Sequence, residues 1–318
     1  MLRNTLQGLS HKDIGVKRAP LVLLISMLAL FSATISAQEQ VLEVPCEEYE
    51  TGCIDTRTWH LSASIGYGER SNPLRGGKAL PIYLVPDIYY YGDRFFFDNG
   101  ILGLSLQQRS RVETSLVTQL NLERAYFASN LTGIWLGNQT SGSGDVSLMP
   151  PTDPPGGSDE TEIRPLRIDD VASRRWALDG GVQLDMYPHK LIHVRMQLLT
   201  DLTGVHHGQQ MNIRLATARE GHLGLLEVGA ELNWKSRDLI DYYYGVNERD
   251  SGVPTAFYYE GRAVWQPALT ASWHYPLNAQ WSWVSSGRLQ WLGSGMSDSP
   301  LAERRHVSTF FTGVSYRF

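Results

Sequence analysis

Cysteine is almost missing from this chain: Cys46 and Cys53 are the two present in 318 residues. That excludes a disulfide-stapled scaffold, and no histidine or third cysteine shares their segment to complete a metal site. Positive charge is short too, with 28 Lys and Arg against 33 Asp and Glu and a formal net charge of −5. An acidic balance opposes nucleic-acid binding, which needs Lys and Arg to neutralise phosphates. No P-loop and no complete Rossmann fingerprint occurs, which removes the usual sequence grounds for nucleotide chemistry. Beyond the first 37 residues, no apolar run approaches the ~20 residues of a membrane-spanning helix.

At the amino terminus, Arg3, Lys12, Lys17 and Arg18 precede an apolar run from Leu21 to Phe31, and Ile35-Ser36-Ala37 follows. The run is roughly eleven residues, too short to cross a bilayer and suited to the core of a secretory signal peptide. Residues 1–37 are therefore expected to be removed, with Ala37 the last of them. Their loss leaves 24 Lys and Arg against 32 Asp and Glu, a net charge of −8. Residues 38–56 then form a periplasmic N-terminal extension in which Cys46 and Cys53 are expected to form a disulfide. Closing so short a loop stabilises it by roughly 2 to 3 kcal/mol on the chain-entropy model.

A mean hydropathy of −0.24 suggests a soluble protein. Barrels escape such averages, because only every second strand residue meets lipid. Period-two alternation runs through the mature chain. Trp59, Leu61, Ala63, Ile65 and Tyr67 oppose His60, Ser62, Ser64 and Gly66, and Leu226, Val228, Ala230, Leu232 and Trp234 oppose Glu227, Gly229, Glu231 and Asn233. Trp281, Trp283, Leu289 and Trp291 likewise oppose Ser282, Ser286, Arg288 and Gln290. Eleven residues at about 3.3 Å each and a 40° tilt rise roughly 28 Å, close to the ~25 Å apolar band of an outer-membrane barrel. Aromatic residues gather at strand ends, where interfacial girdles sit.

Strands are expected near 57–68, 80–91, 94–107, 113–122, 125–136, 174–187, 190–201, 209–218, 222–234, 256–275, 279–291 and 305–318. With a periplasmic N-terminus, the short links around 92–93, 123–124, 188–189, 219–221 and 276–280 come out periplasmic. The longer links around 69–79, 137–173, 202–208, 235–255 and 292–304 come out extracellular, with 108–112 the one short link on that side. The fold class is an all-β, transmembrane, antiparallel up-and-down barrel of about twelve strands spanning 57–318. Ten is the alternative, because 108–136 alternates poorly. The Pro- and Gly-rich stretch within 137–173 is expected to be an external loop.

The chain ends on a strand whose Phe310, Val314, Tyr316 and Phe318 share one face. This aromatic-ended strand resembles the signal read by the barrel-assembly machinery of the bacterial outer membrane. Further runs sharpen the resemblance. Pro81 to Phe97 with its Tyr89-Tyr90-Tyr91-Gly92-Asp93 turn, Gly204-Val205-His206-His207-Gly208, Asp241-Tyr242-Tyr243-Tyr244-Gly245-Val246 and Asp298-Ser299-Pro300-Leu301, in that order, resemble the MipA/OmpV family. The resemblance implies a barrel embedded in outer-membrane lipid, and with a periplasmic N-terminus the parity of the turns brings the C-terminus to the periplasm as well. It also implies a non-enzymatic role like that of the family's namesake, a scaffold joining a lytic transglycosylase to a penicillin-binding protein. A narrow passive channel is the alternative, since twelve strands lie between filled and open barrels. No motif supplies a catalytic, cofactor or metal residue. The pair His206-His207 reads as loop surface, and His193, Arg195, Glu227, Glu231, His274 and Arg288 read as lumen-filling residues.

Overall fold

The computed structural model describes residues 56–109, 111–127 and 164–318. The expected signal peptide, the Cys46 and Cys53 pair and residues 137–163 of the Pro/Gly-rich loop lie outside the described residues.

Twelve antiparallel strands follow in order: β1 (Trp59–Arg70), β2 (Leu80–Tyr91), β3 (Phe95–Asp98), β4 (Ile101–Arg109), β5 (Val112–Leu120), β6 (Leu178–His189), β7 (Ile192–Asp201), β8 (Gln209–Gly221), β9 (Gly224–Lys235), β10 (Val264–Pro276), β11 (Trp281–Trp291) and β12 (His306–Arg317). Each pairs with its sequence neighbours, and β1 pairs with β12 from Ser62↔Arg317 to Arg70↔Thr309, so the sheet closes without an edge. At this seam Gly66 faces Gly313, and a Cβ on Gly66 would lie 2.1 Å from the Thr312 carbonyl oxygen. Only glycine permits so close an approach of the two backbones.

The alternation read from the sequence is realised inside out. Ile65 and Tyr67 of β1, Leu102, Leu104 and Leu106 of β4 and Trp281 and Trp283 of β11 are exposed on the outer wall, while Gln183, Asp185, Gln197, Arg214 and Glu231 are buried within. An apolar exterior around a polar interior would be costly in water and suits a lipid surround. No described helix is long and apolar enough to cross a membrane.

The strand count stands at twelve, but the pieces differ from expectation. The single strand expected at 94–107 is a hairpin, β3 and β4, turning at Asn99-Gly100 with φ of 47° and 92°. Two consecutive left-handed residues form the tight turn that Asn-Gly favours. Asn99 anchors it: its Oδ1 accepts from the Ile88 N–H at 2.8 Å and its Nδ2 donates to Asp87 at 2.7 Å. The start of the strand expected at 125–136 lies instead in a 3₁₀ turn, Leu122–Phe127, and the rest lies outside the described residues. The extra hairpin reverses the direction of the chain through this region. The link between Arg109 and Val112 therefore joins the short-turn end, and Glu123-Arg124 joins the long-loop end, opposite to the expected placements. The two-residue Asn99-Gly100 turn takes the place of 108–112 as the short link on the long-loop side. The strand expected from 256 begins at Val264, after a 3₁₀ turn at Thr255–Phe257.

Candidate functional site: a capped lumen

The main apolar core lies among the long loops. Helix α1 (Arg237–Tyr244) starts where the Ser236 hydroxyl accepts from the Leu239 N–H at 3.5 Å, and ends where the Gly245 N–H donates to the Asp241 carbonyl at 2.9 Å. Leu239, Ile240, Tyr243 and Tyr244 fall on one face at helical spacing, and each is 0% exposed. They pack with Leu74, Tyr126, Ile168, Met296 and Leu301 from the other loops. This lid reaches the inner wall, where Gln266 Nε2 donates to Met296 Sδ at 3.0 Å and Val264 and Val307 join the core.

Two charged knots bind the lid. Lys235 Nζ and the Tyr244 hydroxyl both donate to Glu123, drawing together residues more than a hundred positions apart. Burial resists ionisation of Glu123, yet the Lys235 charge and these hydrogen bonds hold its carboxyl below the usual range. Burial, and then the Glu123 charge, push the Tyr244 phenol well above its ordinary value, so it remains a donor. In the second knot, Arg174 donates to Asp250 at 2.8 Å with both side chains at 0% exposure, and also to the carbonyls of Ala172 and Gly245. Burial opposes the Asp250 charge, but the Arg174 hydrogen bond and charge keep its carboxyl below the usual range.

Beneath the lid the lumen is crossed by polar pairs. Asp185 accepts from His193 and Arg195, each at 2.7 Å, and from Gln183 at 2.6 Å. Arg288 donates to Glu231 at 2.8 Å, and Arg214 donates to Glu227. Charges inside the wall are held by partners, as a low-dielectric interior requires. Of the six residues expected to face the lumen, His193 and Arg195 converge on Asp185, while Glu227, Glu231 and Arg288 fall in a second cluster. His274 stands apart, on the wall of a cavity at the short-turn end. The His193 ring stacks on Tyr187 at 4.8 Å between centroids, and its Nε2 is engaged by Asp185.

The pair His206-His207 is split. His207 is exposed as expected, whereas His206 is buried, because the loop between β7 and β8 turns it inward against Asp179 of β6. Asp179, Asp201 and His206 place ligand-type atoms within 4.8 Å of one another, the one such metal-capable group among the described residues. Hydrogen bonds already use those atoms. His206 Nδ1 accepts from the Gly208 N–H at 3.0 Å, which leaves Nε2 to donate to Asp179 at 3.0 Å. Asp179 also accepts from Asn121 and Gln210, and Asp201 accepts from Thr203 and the N–H groups of His206 and His207. The arrangement works as a clamp that ties the loop to the wall.

Sequence reasoning missed the lid. The signal was present in Ser236 followed by apolar residues at one-turn spacing and Gly245, but eight residues within a long link are easily taken for coil. Glu123 and Lys235 carried no signal, since only the fold brings them together.

Residues 61–318 match a family model described as "MltA-interacting protein MipA". The chain belongs to the MipA family. Among curated relatives of this MipA family member, "Putative outer membrane protein YiaT" from Escherichia coli O157:H7 and from strain K12 are each 25% identical over 265 residues, covering 81% of this chain and 91% of theirs. Solved structures with a similar trace include an OmpT loop-deletion mutant of Vibrio cholerae, at TM-score 0.32 and 9% identity over 82% of this chain and 99% of that one. A Pseudomonas aeruginosa FadL homologue follows at TM-score 0.31 and 10% identity, covering 82% and 90%. Scores this low add nothing to the architecture, which rests on its own strand pairing.

Proposed function

We propose that this MipA family barrel is a non-enzymatic scaffold of the outer membrane, with the short-turn end and both termini in the periplasm and the lid outside. In this reading it holds a murein lytic transglycosylase, and through it a penicillin-binding protein, at the membrane. The family description, which names an MltA-interacting protein, supports the partner. The observation that carries the reading is the lid: a packed apolar core over a lumen crossed by ion pairs favours a holder over a conduit. The aromatic face of Phe310, Val314, Tyr316 and Phe318, with Phe310 and Phe318 exposed on the described wall, fits delivery by the barrel-assembly machinery.

Crosslinking in the native envelope followed by purification of the full chain tests the partner. A lytic transglycosylase is expected among the captured proteins, and more weakly a penicillin-binding protein. Capture of neither, under conditions that retain other envelope complexes, overturns the scaffold.

A further inference from the structure

The inner wall is uneven. On β6 to β9 the inward residues are large and paired, among them Asp185, Arg195, Arg214 and Glu231. Across the lumen, β1, β11 and β12 instead present Ser62, Ser64, Ser282, Ser286, Gly313 and Ser315. Small inward residues on one side of a closed barrel leave a void on that side, and the structure has one of about 500 Å³ there. Its walls include His60 and Ser282 near the starts of β1 and β11, and Tyr91 and Arg317 at the ends of β2 and β12, so it lies toward the short-turn end. Exposed His274 and Arg317 place solvent at that side. The volume falls within the roughly 300–1,000 Å³ typical of small-molecule sites.

From this wall the geometry points to a binding site for a short neutral saccharide, entered from the short-turn end. Two carboxylates are fixed in place: Asp87 accepts from Asn99 at 2.7 Å and from Ser62 at 3.3 Å, and Asp98 accepts from the Tyr91 hydroxyl at 3.1 Å and from Asn99 at 3.2 Å. A carboxylate offers about four lone-pair sites, so both retain acceptor capacity for ligand hydroxyls. Arg317 and the serine hydroxyls supply donors. Tyr89 and His60 stack at 4.7 Å between centroids and add flat aromatic surface of the kind that packs under sugar C–H faces. Val85, Val284 and Phe311 close the far side with apolar surface. An anion would meet two carboxylates against one guanidinium. A wholly apolar ligand would strip water from a row of hydroxyls and return no hydrogen bond. Sugars, which carry donors, acceptors and apolar faces together, satisfy every part of this wall.

The inference rests on the cavity and not on the scaffold reading, so each can fail alone. Calorimetric titration of the full chain in a detergent without a sugar headgroup, with maltotriose and chitotriose as probes, tests it. Saturable binding of at least one probe at millimolar concentration is expected. Ser286→Phe should abolish it by filling the void, and Asp87→Asn should weaken it about tenfold or more, the scale of a lost charge-assisted hydrogen bond. Thermal unfolding of both variants without sugar confirms that they are folded. Binding of neither probe, or equal binding by a folded Ser286→Phe variant, overturns the site, as does tighter binding of putrescine than of either sugar.

Discussion

At the long-loop end the lumen is stopped by Leu239, Ile240, Tyr243 and Tyr244, all fully buried, together with apolar residues from three other loops. At the short-turn end the inward residues of β1, β11 and β12 include Ser62, Ser64, Ser282, Ser286, Gly313 and Ser315, and a cavity remains. One wall thus carries two unlike interiors. The lid follows the logic of a soluble domain, in which apolar side chains gather around a helix and leave water together. The lumen follows the reverse, with apolar residues outside and polar ones inside, each needing a partner. The two ends should therefore fail differently when perturbed.

The largest effect should come from Arg174→Ala, which leaves Asp250 buried without its cation. Breaking such a pair costs about 3–5 kcal/mol. The loss should appear as faster amide exchange in α1 and the 245–253 segment, with the β6 to β9 wall protected as before. Close behind, Leu239→Ala opens a hole at a 0% exposed position, for about 2–5 kcal/mol. Limited proteolysis should then cut the long loops while the barrel resists. Equal loosening of wall and lid by either variant would erase the distinction between them.

Acid should act on the lid more gradually. The carboxyls of Glu123 and Asp250 are held below their ordinary range, so the stability they contribute is fully present above the unfolded carboxylate pKa. It is lost as pH falls through their depressed folded values. Opening of α1, read as its amide exchange corrected for the intrinsic pH dependence, should thus be constant through neutral pH and rise below about pH 4. A rise already at pH 6 would show that other groups hold the lid.

The smallest effect belongs to the wall. Gly100→Ala meets no atom within 4 Å, so it is expected to cost only the backbone strain of φ 92°, about 1–2 kcal/mol. Unfolding in urea should register it as a shift in midpoint with the lid unchanged. No loss of stability would mean that the chain does not turn at Asn99-Gly100.

Most of the wall was legible in the sequence, because period two needs only neighbouring residues to declare an inner and an outer face. Trp281, Trp283, Leu289 and Trp291 read as outward and are exposed. The Asn99-Gly100 turn was equally local, yet the apolar run from Phe95 to Leu104 masked it and reversed the expected direction of two links. The lid was only faintly legible. α1 is short, and its burial depends on loops far apart in the chain. His206 reads like His207 by type; only the fold turns it inward. The cavity depends on which strands face each other across the barrel, and no single stretch of sequence records that.

Whether the lumen is closed can be measured directly by reconstituting the purified full chain in planar bilayers and recording current under applied voltage. A barrel capped by the packed core around α1 should remain silent, and the Leu239→Ala variant should show brief openings. Steady single-channel conductance from the unaltered protein would contradict the capped lumen.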